Sequence, residues 1–403
     1  MTGFLITNVY AQRTCGTDLK MKEFFEKNPK AIARNADLRN FLKDKKNTRN
    51  SISGVVTIPV VVHVLYKNGV QNISDEQILS QIAVLNNDFR KQNTDFDSVV
   101  PDVFKLMAAD LELAFCMATK DPNGNPTTGI QRKAVPESLS FSNWEYFQGR
   151  GVPAWDPTKY LNIWVGAILE EGSLGWAFDP IVAGQPYDGL AIDYRFFGTV
   201  GAVQYPYNKG RTATHEIGHY FGLKHIWGED ESACETPGNS DDCDDTPATY
   251  NPYYGTPTFP NNQYTCANTA NGAMFMNYMD YGDDIALAMF SNDQKVITSN
   301  TMIGPRASLL NANGCSLLIE NKEAELNSIY VFPNPSSKYI SIASPLVKVN
   351  EVEIYNSDGI LKKKVIIKNE TDKINIEDFI PGIYFVRTYN DKQFIKSMKF
   401  IKQ

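Results

Sequence analysis

Hydrophobic and polar positions divide the chain into stretches of different character. Residues 12–50 are polar and lysine-rich, and have little to bury. They read as a pro-segment rather than a domain. At Thr57 the pattern changes abruptly. The run TIPVVVHVLY is apolar and β-branched, which predicts a buried strand. A helix is expected from Ser74, where Ser74 and Gln77 form a capping-box pattern. Ile78, Ile82, Leu85 and Phe89 then recur on one face. Further strand-like runs are LELAFCMA (111–118), YLNIWVGAI (160–168) and GLAIDY (189–194), and a second helix is expected around His215. Strands alternating with helices predict an α/β domain over 51–316, ending near Cys315. Residues 317–328 form a charged linker. Beyond them, YISIAS, VNEVEIYN, ILKKKVIIK, GIYFVRTY and SMKFIKQ alternate apolar and polar positions between turns. That pattern predicts a small all-β sandwich over 329–403.

Composition narrows this picture. With 403 residues, two or three domains are expected, and a 42% hydrophobic content is enough to build a core. A net charge of −7 lacks the basic footprint of a nucleic-acid binder. No stretch reaches the ~18 apolar residues that span a bilayer. The opening MTGFLITNVYAQ, with Val9-Tyr10-Ala11 before Gln12, reads as the remnant of a signal peptide over 1–11. The six cysteines (15, 116, 234, 243, 266 and 315) match no zinc-finger spacing. In a secreted chain they point to disulfides, whose connectivity spacing alone does not give.

The most specific chemical signal is His215-Glu216-Ile217-Gly218-His219-Tyr220-Phe221-Gly222-Leu223-Lys224-His225. Residues four apart stack on a helix, so His215 and His219 can share one ion, and Glu216 reaches the water bound to it. Gly222 can adopt positive φ and end the helix, which lets the chain return with His225 as the third ligand. Three imidazoles and an open position describe a catalytic zinc rather than a closed structural one. Three of the chain's four histidines lie in this motif. The fourth, His63, sits within the strand-like VVVHVLY and is expected to be a sheet residue.

The extended motif resembles that of the metzincin metallopeptidases, and Asn277-Tyr278-Met279-Asp280-Tyr281 resembles their methionine turn. Within that clan, IPVVVHVLY, NNDFRKQN, ATKDPNGNPTTGIQR, YLNIWV, GRTATHEIGHYFGL, DDTP and NYMDYGDD resemble the pappalysin family across about 57–300. The resemblance implies a twisted, mostly parallel sheet with a backing helix, an active-site helix and an irregular C-terminal subdomain. It makes Met279 the floor of the site and Tyr281 a donor to the tetrahedral oxyanion. The segment Leu174-Gly175-Trp176-Ala177 resembles the upper rim of the cleft, against which a peptide substrate lies as an antiparallel strand, so Gly175 and Trp176 are expected to bind substrate.

The resemblance also implies several finer features. The acidic loop around 240–247 is similar to a calcium loop, with Asp241, Asp244 and Thr246 as ligands, a backbone oxygen serving at one of them. Asp283 or Asp284, the latter preferred, would lie at the base of the pocket for the residue after the scissile bond. That predicts cleavage before Arg or Lys. Cys15, in Arg13-Thr14-Cys15-Gly16-Thr17, resembles a pro-segment cysteine that occupies zinc in a latent form. An Arg preference further suggests self-maturation at Thr48–Arg49. Family members often carry a cysteine where this chain has Ala286, so one disulfide is expected to be missing. Cys234–Cys266 is the preferred remaining pair.

Residues 331–342, 352–359, 381–387 and 396–402 resemble the sorting domain of the type IX secretion system. This implies passage through the periplasm and outer membrane to the medium or cell surface, with the secretion machinery as partner. The expected function is therefore a secreted zinc endopeptidase acting on proteins or peptides. The alternative is a secreted binding protein or adhesin with a vestigial zinc site. Glu216 weighs against it, because metal binding alone does not need that base.

Overall fold

The computed structural model describes residues 13–47, 54–169, 172–228, 234, 241–312, 314–315, 326, 328–344, 347–369, 372–390 and 393–403. The signal remnant at 1–11, the Thr48–Arg49 bond and most of the 317–328 linker lie outside the described residues. The chain forms two compact units, Met1–Cys315 and Ser316–Gln403.

The first unit opens with two helices, α1 (Thr17–Lys27) and α2 (Lys30–Leu42). Here the structure corrects the expectation that this segment has little to bury. Met21, Phe24, Ala31 and Leu42 are all buried. The lysines between them dilute the apolar pattern. Their partners come from the rest of the unit, including Trp164, Trp176 and Phe178, which share a cluster with Met21 and Phe24.

Strand β1 (Val56–Tyr66) is followed by α3 (Asp75–Phe89), where Ser74 Oγ accepts from Gln77 N at 3.2 Å. Ile78, Leu85 and Phe89 of α3 are fully buried against the sheet. Two short helices, α4 (Phe96–Val99) and α5 (Asp102–Lys105), lead to β2 (Leu113–Met117), β3 (Ile130–Ala134), β4 (Leu161–Gly166), β5 (Gly175–Ala177) and β6 (Leu190–Asp193). Helices α6 (Arg211–Tyr220) and α7 (Asn292–Ile303) complete the unit. β3 and α7 carry no periodic apolar pattern long enough to predict them, although α7 has a full capping box at Ser291 and Gln294.

The sheet runs β2-β1-β4-β6-β5, with β3 also paired to β1. All pairings are parallel except β5 on β6. β1 is therefore buried along nearly its whole length, as parallel strands covered on both faces are. His63 at its centre bonds Gln131 Oε1 (2.8 Å) and Asn162 Oδ1 (2.9 Å) and stacks on Trp164, so it is a satisfied sheet residue. Between α6 and α7 the described chain is irregular, with only the 3-10 turn Asp284–Ala286. Cys234–Cys266 is bridged as expected, and Cys116–Cys315 is a second disulfide. Cys243 is a buried free thiol, and Ala286 is buried.

The second unit contains β7 (Tyr330–Phe332), β8 (Tyr339–Ala343), β9 (Glu351–Asn356), β10 (Leu361–Ile366), β11 (Ile374–Asn375), β12 (Gly382–Asn390) and β13 (Gln393–Lys402). They form two antiparallel sheets, β10-β9-β12-β13 and β11-β8-β7. Ile340, Ile342, Val352, Ile354, Val386 and Phe400 fill the core between them, which makes a β-sandwich. No helix among the described residues is long and apolar enough to cross a membrane.

Candidate active site

Every residue of α6 is buried, including its charged first turn. Arg211 lies between Asp88 of α3, Asp95 (3.0 Å) and the Tyr278 hydroxyl (2.5 Å), while Thr214 donates to Asp88 at 2.6 Å. This network couples the helix to α3 and to the methionine turn. Arg211, Asp88 and Asp95 were not recognisable as site supports in the sequence, because they are ordinary charged residues there. Their only signal is that Asp88 and Arg211 fall inside the two family-like segments.

The helix stacks His215 over His219 and ends at Gly222, whose φ is +86°. Gly222 N donates to His219 O at 2.8 Å and Leu223 N to Gly218 O at 2.9 Å, which closes the turn. The chain then brings back His225. The Nε2 atom of His219 lies 3.2 Å from that of His215 and 3.1 Å from that of His225. With Cys15 Sγ, the four ligand atoms all lie within 4.8 Å of one another. The outer nitrogens are held elsewhere: His215 Nδ1 on Tyr278 O (2.8 Å), His219 Nδ1 on Leu223 O (2.8 Å), and His225 Nδ1 at 3.3 Å from Asp18. Their Nε2 lone pairs therefore converge, as metal-binding imidazoles require. Burial, then the neighbouring imidazoles, keeps His215 well below its ordinary pKa. Burial and His225 bring His219 down to about 3, so both rings are neutral. Three imidazoles and a thiol are a donor set suited to zinc.

Glu216 is buried beside this centre. Its Oε2 accepts from Thr17 Oγ1 (3.1 Å) and from Cys15 Sγ (3.4 Å). Burial pushes its pKa up to about 8, against those two hydrogen bonds. Met279 is fully buried under α6, and a Cβ built on Gly218 would stand 2.3 Å from its sulfur. The helix can thus approach the methionine turn only because residue 218 is glycine. Tyr281 lies against His215 and His225, and its hydroxyl accepts from Cys15 N at 3.2 Å. Burial raises its phenol well above the ordinary value, so it stays protonated.

Asp284 is fully buried. Its Oδ1 accepts from Arg13 Nη2 at 2.5 Å, and its Oδ2 from the backbone of Lys209 (2.7 Å) and Arg211 (3.2 Å). Asp283 stands at the edge, 3.5 Å from Thr256 Oγ1. Gly175 and Trp176 lie in the edge strand β5. Gly175 O accepts from Gly16 N at 2.8 Å, and residues 15 and 175 form a parallel bridge. Trp176 is buried, packing against Phe141 and Tyr146 on one side and facing the Lys20 ammonium, 5.4 Å from its ring centroid, on the other.

The acidic loop places its candidate ligands in two different settings. Thr246 donates to Asp241 at 2.7 Å, so these two are together. The Asp244 side chain is 92% exposed and pairs with Lys45 at 3.0 Å. The neighbouring Asp242 instead accepts from Arg39 Nε (3.0 Å) and Nη2 (2.8 Å).

Residues 151–302 match the family described as pregnancy-associated plasma protein-A, and residues 330–403 match the secretion system C-terminal sorting domain. Among curated proteins, an extracellular metalloprotease of Arthroderma gypseum is 28% identical over 296 residues, covering 72% of this chain and 84% of its own. A promirolysin mutant of Tannerella forsythia is 39% identical with a TM-score of 0.67, covering 76% of this chain and 99% of that one. Mature mirolysin of the same organism, in complex with a cleaved peptide, is 39% identical with a TM-score of 0.61, over 66% and 99%. With the histidine centre, the buried glutamate and these relatives, the chain belongs to the pappalysin family and is a secreted or cell-surface metalloendopeptidase with a type IX sorting domain.

Proposed function

We propose that the chain is a latent zinc endopeptidase that, once its pro-segment is removed, cleaves proteins before Arg or Lys. One observation carries the reading: a single extended stretch of pro-segment sets Arg13 on Asp284 and Cys15 among the three imidazoles. The stretch runs parallel to β5, opposite to the direction expected of a substrate, so its peptide bonds are presented backwards. It also engages Glu216 through Thr17 and Tyr281 through the Cys15 amide. The promirolysin match extends over a larger share of this chain than the mature mirolysin match, in keeping with a pro-segment.

His215, His219 and His225 would hold the zinc, which when bound polarises a scissile carbonyl and lowers the pKa of its water to about 7. Glu216, freed of Thr17 and Cys15, accepts the proton of the attacking water and passes it to the leaving amine. Tyr281 donates to the oxyanion. Asp284, fixed by two backbone amides, orients the guanidinium or ammonium of the residue after the scissile bond. Calcium at the acidic loop is the lesser part of the reading. It rests on Asp241 and Thr246, with Asp244 offering its backbone oxygen, and with burial raising the Asp241 carboxyl to about 7, a cost that a cation would offset.

The test is cleavage of a quenched peptide library by the matured protein, beside Glu216→Ala and a zinc-chelated sample. Cleavage before Arg, abolished in both controls, is expected. Full-length Cys15→Ser should cleave the same peptides before any processing. Zinc at full occupancy with no peptide cleaved would sink the peptidase reading in favour of a binding protein.

A further inference from the structure

The pro-segment fills more of the cleft than the metal and the Asp284 pocket. Lys20 of α1 is only 4% exposed, unusual for a lysine. Its ammonium lies 5.4 Å from the Trp176 ring centroid and 5.7 Å from that of Trp144, and donates to Ser142 O at 3.0 Å. Lys27 lies 5.2 Å from the same Trp144 ring. One indole of the catalytic unit thus carries two pro-segment lysines. Trp144 sits at φ +63°, a left-handed conformation that a bulky residue adopts only where its surroundings impose it. Those surroundings are Phe147, Phe178 and Tyr187, which pack against the ring.

Glu23, which pairs with Lys20 and accepts from Trp144 Nε1 at 2.9 Å, belongs to the pro-segment and leaves with it. Trp144, Trp176 and the Ser142 carbonyl stay. They form a crevice with two electron-rich faces and an acceptor, a combination that favours a cation on an apolar stem. The crevice is continuous with the substrate strand, since Trp176 belongs to β5. Because the pro-segment runs parallel to β5 from Arg13 onward, residues after Cys15 lie where an antiparallel substrate has residues before its scissile bond. Gly16 is already in the helical region and α1 begins at Thr17, so five residues of helical rise place Lys20 on the order of 7 Å beyond Cys15, or about two substrate residues.

We infer that the Trp144–Trp176 crevice is a second specificity subsite, taking a lysine or arginine side chain two to four residues before the scissile bond. Lys20 is its occupant in the latent form. The inference rests on the peptidase reading above and deepens it.

The test uses matched quenched peptides, each with Arg after the scissile bond. They differ only in lysine or norleucine at the second, third or fourth position before it. Norleucine keeps the alkyl stem and removes the charge. With the matured wild-type enzyme, kcat/KM should be about fivefold to tenfold higher for lysine at one of these positions. In Trp144→Leu that ratio should fall to near one. Equal cleavage of lysine and norleucine peptides at all three positions overturns the subsite, as does a ratio that persists in Trp144→Leu. A second arm needs no turnover: the labelling rate of Cys15 by a thiol reagent in full-length, zinc-loaded Glu216→Ala. Adding Lys20→Met should raise that rate several-fold. If no peptide is cleaved, the peptidase reading falls, and the labelling rate alone decides whether the crevice holds a basic side chain. An unchanged rate then overturns it.

Discussion

Asp284 accepts from two backbone amides on one oxygen and from Arg13 on the other, in a site closed to water. A charge-assisted bond there is worth about 1.5–3 kcal/mol, a factor of roughly 10–150. Asp284→Asn should therefore lower kcat/KM for Arg peptides by about that factor in the matured enzyme. Peptides with alanine after the scissile bond should change little, and the ratio of the two rates is the measurement. His63 lends itself to a different prediction. Burial, against bonds to Asn162 and Gln131, lowers its pKa to about 4 from an ordinary value near 6.5. The unfolded chain therefore binds the extra proton between those values. The stability that His63 allows is complete above pH 6.5, falls as pH drops, and is lost by pH 4. The deficit reaches about 3 kcal/mol. Denaturant titrations of wild type and His63→Gln across pH 4–7 should differ in slope over that window, and parallel curves would rule this out.

At the scale of elements, α6 is held from below by the methionine turn and from the side by α3. Gly218 is where the first contact is tightest, with the virtual Cβ 2.3 Å from Met279 sulfur and 3.5 Å from Leu223. Helix propensity alone favours alanine over glycine by about 1 kcal/mol. Packing overrides it here: Gly218→Ala must displace Met279 or lift the helix, at a cost of about 1–3 kcal/mol. A lower melting temperature with weakened zinc retention in a chelator competition is the expected outcome. A stabilised variant would show that the methionine turn yields easily. The helices α1 and α2 illustrate the same dependence on partners. Their sparse apolar residues are buried against Trp176, Phe178 and their neighbours, so α1 and α2 belong to the first compact unit and are not a domain of their own.

For the whole molecule, each compact unit has its own hydrophobic core, one around β1, α3 and α6 and the other between the two tail sheets. Deleting residues 330–403 should leave kcat/KM of the matured enzyme within about twofold, because every active-site residue named above lies in the first unit. The same deletion should keep the protein from the medium and cell surface in a host with a type IX system. Fractionation and peptide kinetics check the two halves separately.

The zinc motif was legible because its geometry is local: 11 consecutive residues, one helical turn and a positive-φ glycine carry all three histidines and the base. The strands at 56–66, 161–166 and 190–193, the tail sandwich and the satisfied His63 followed from short-range alternation and burial. The methionine turn beneath α6 was legible only by family resemblance. Other features depend on residues far apart in the chain, and no period or spacing encodes them. Arg13 meets Asp284 across 271 positions, Cys116 meets Cys315 across 199, and Arg211 meets Asp88 across 123. Asp244 shows the same limit from the other side. Its side chain pairs with Lys45 across 199 positions, because ion pairs form with whatever the fold brings within reach. Local chemistry was set by the sequence itself. Which side chains share a buried space was decided only by the tertiary structure, because burial and charge pairing are properties of the packed chain.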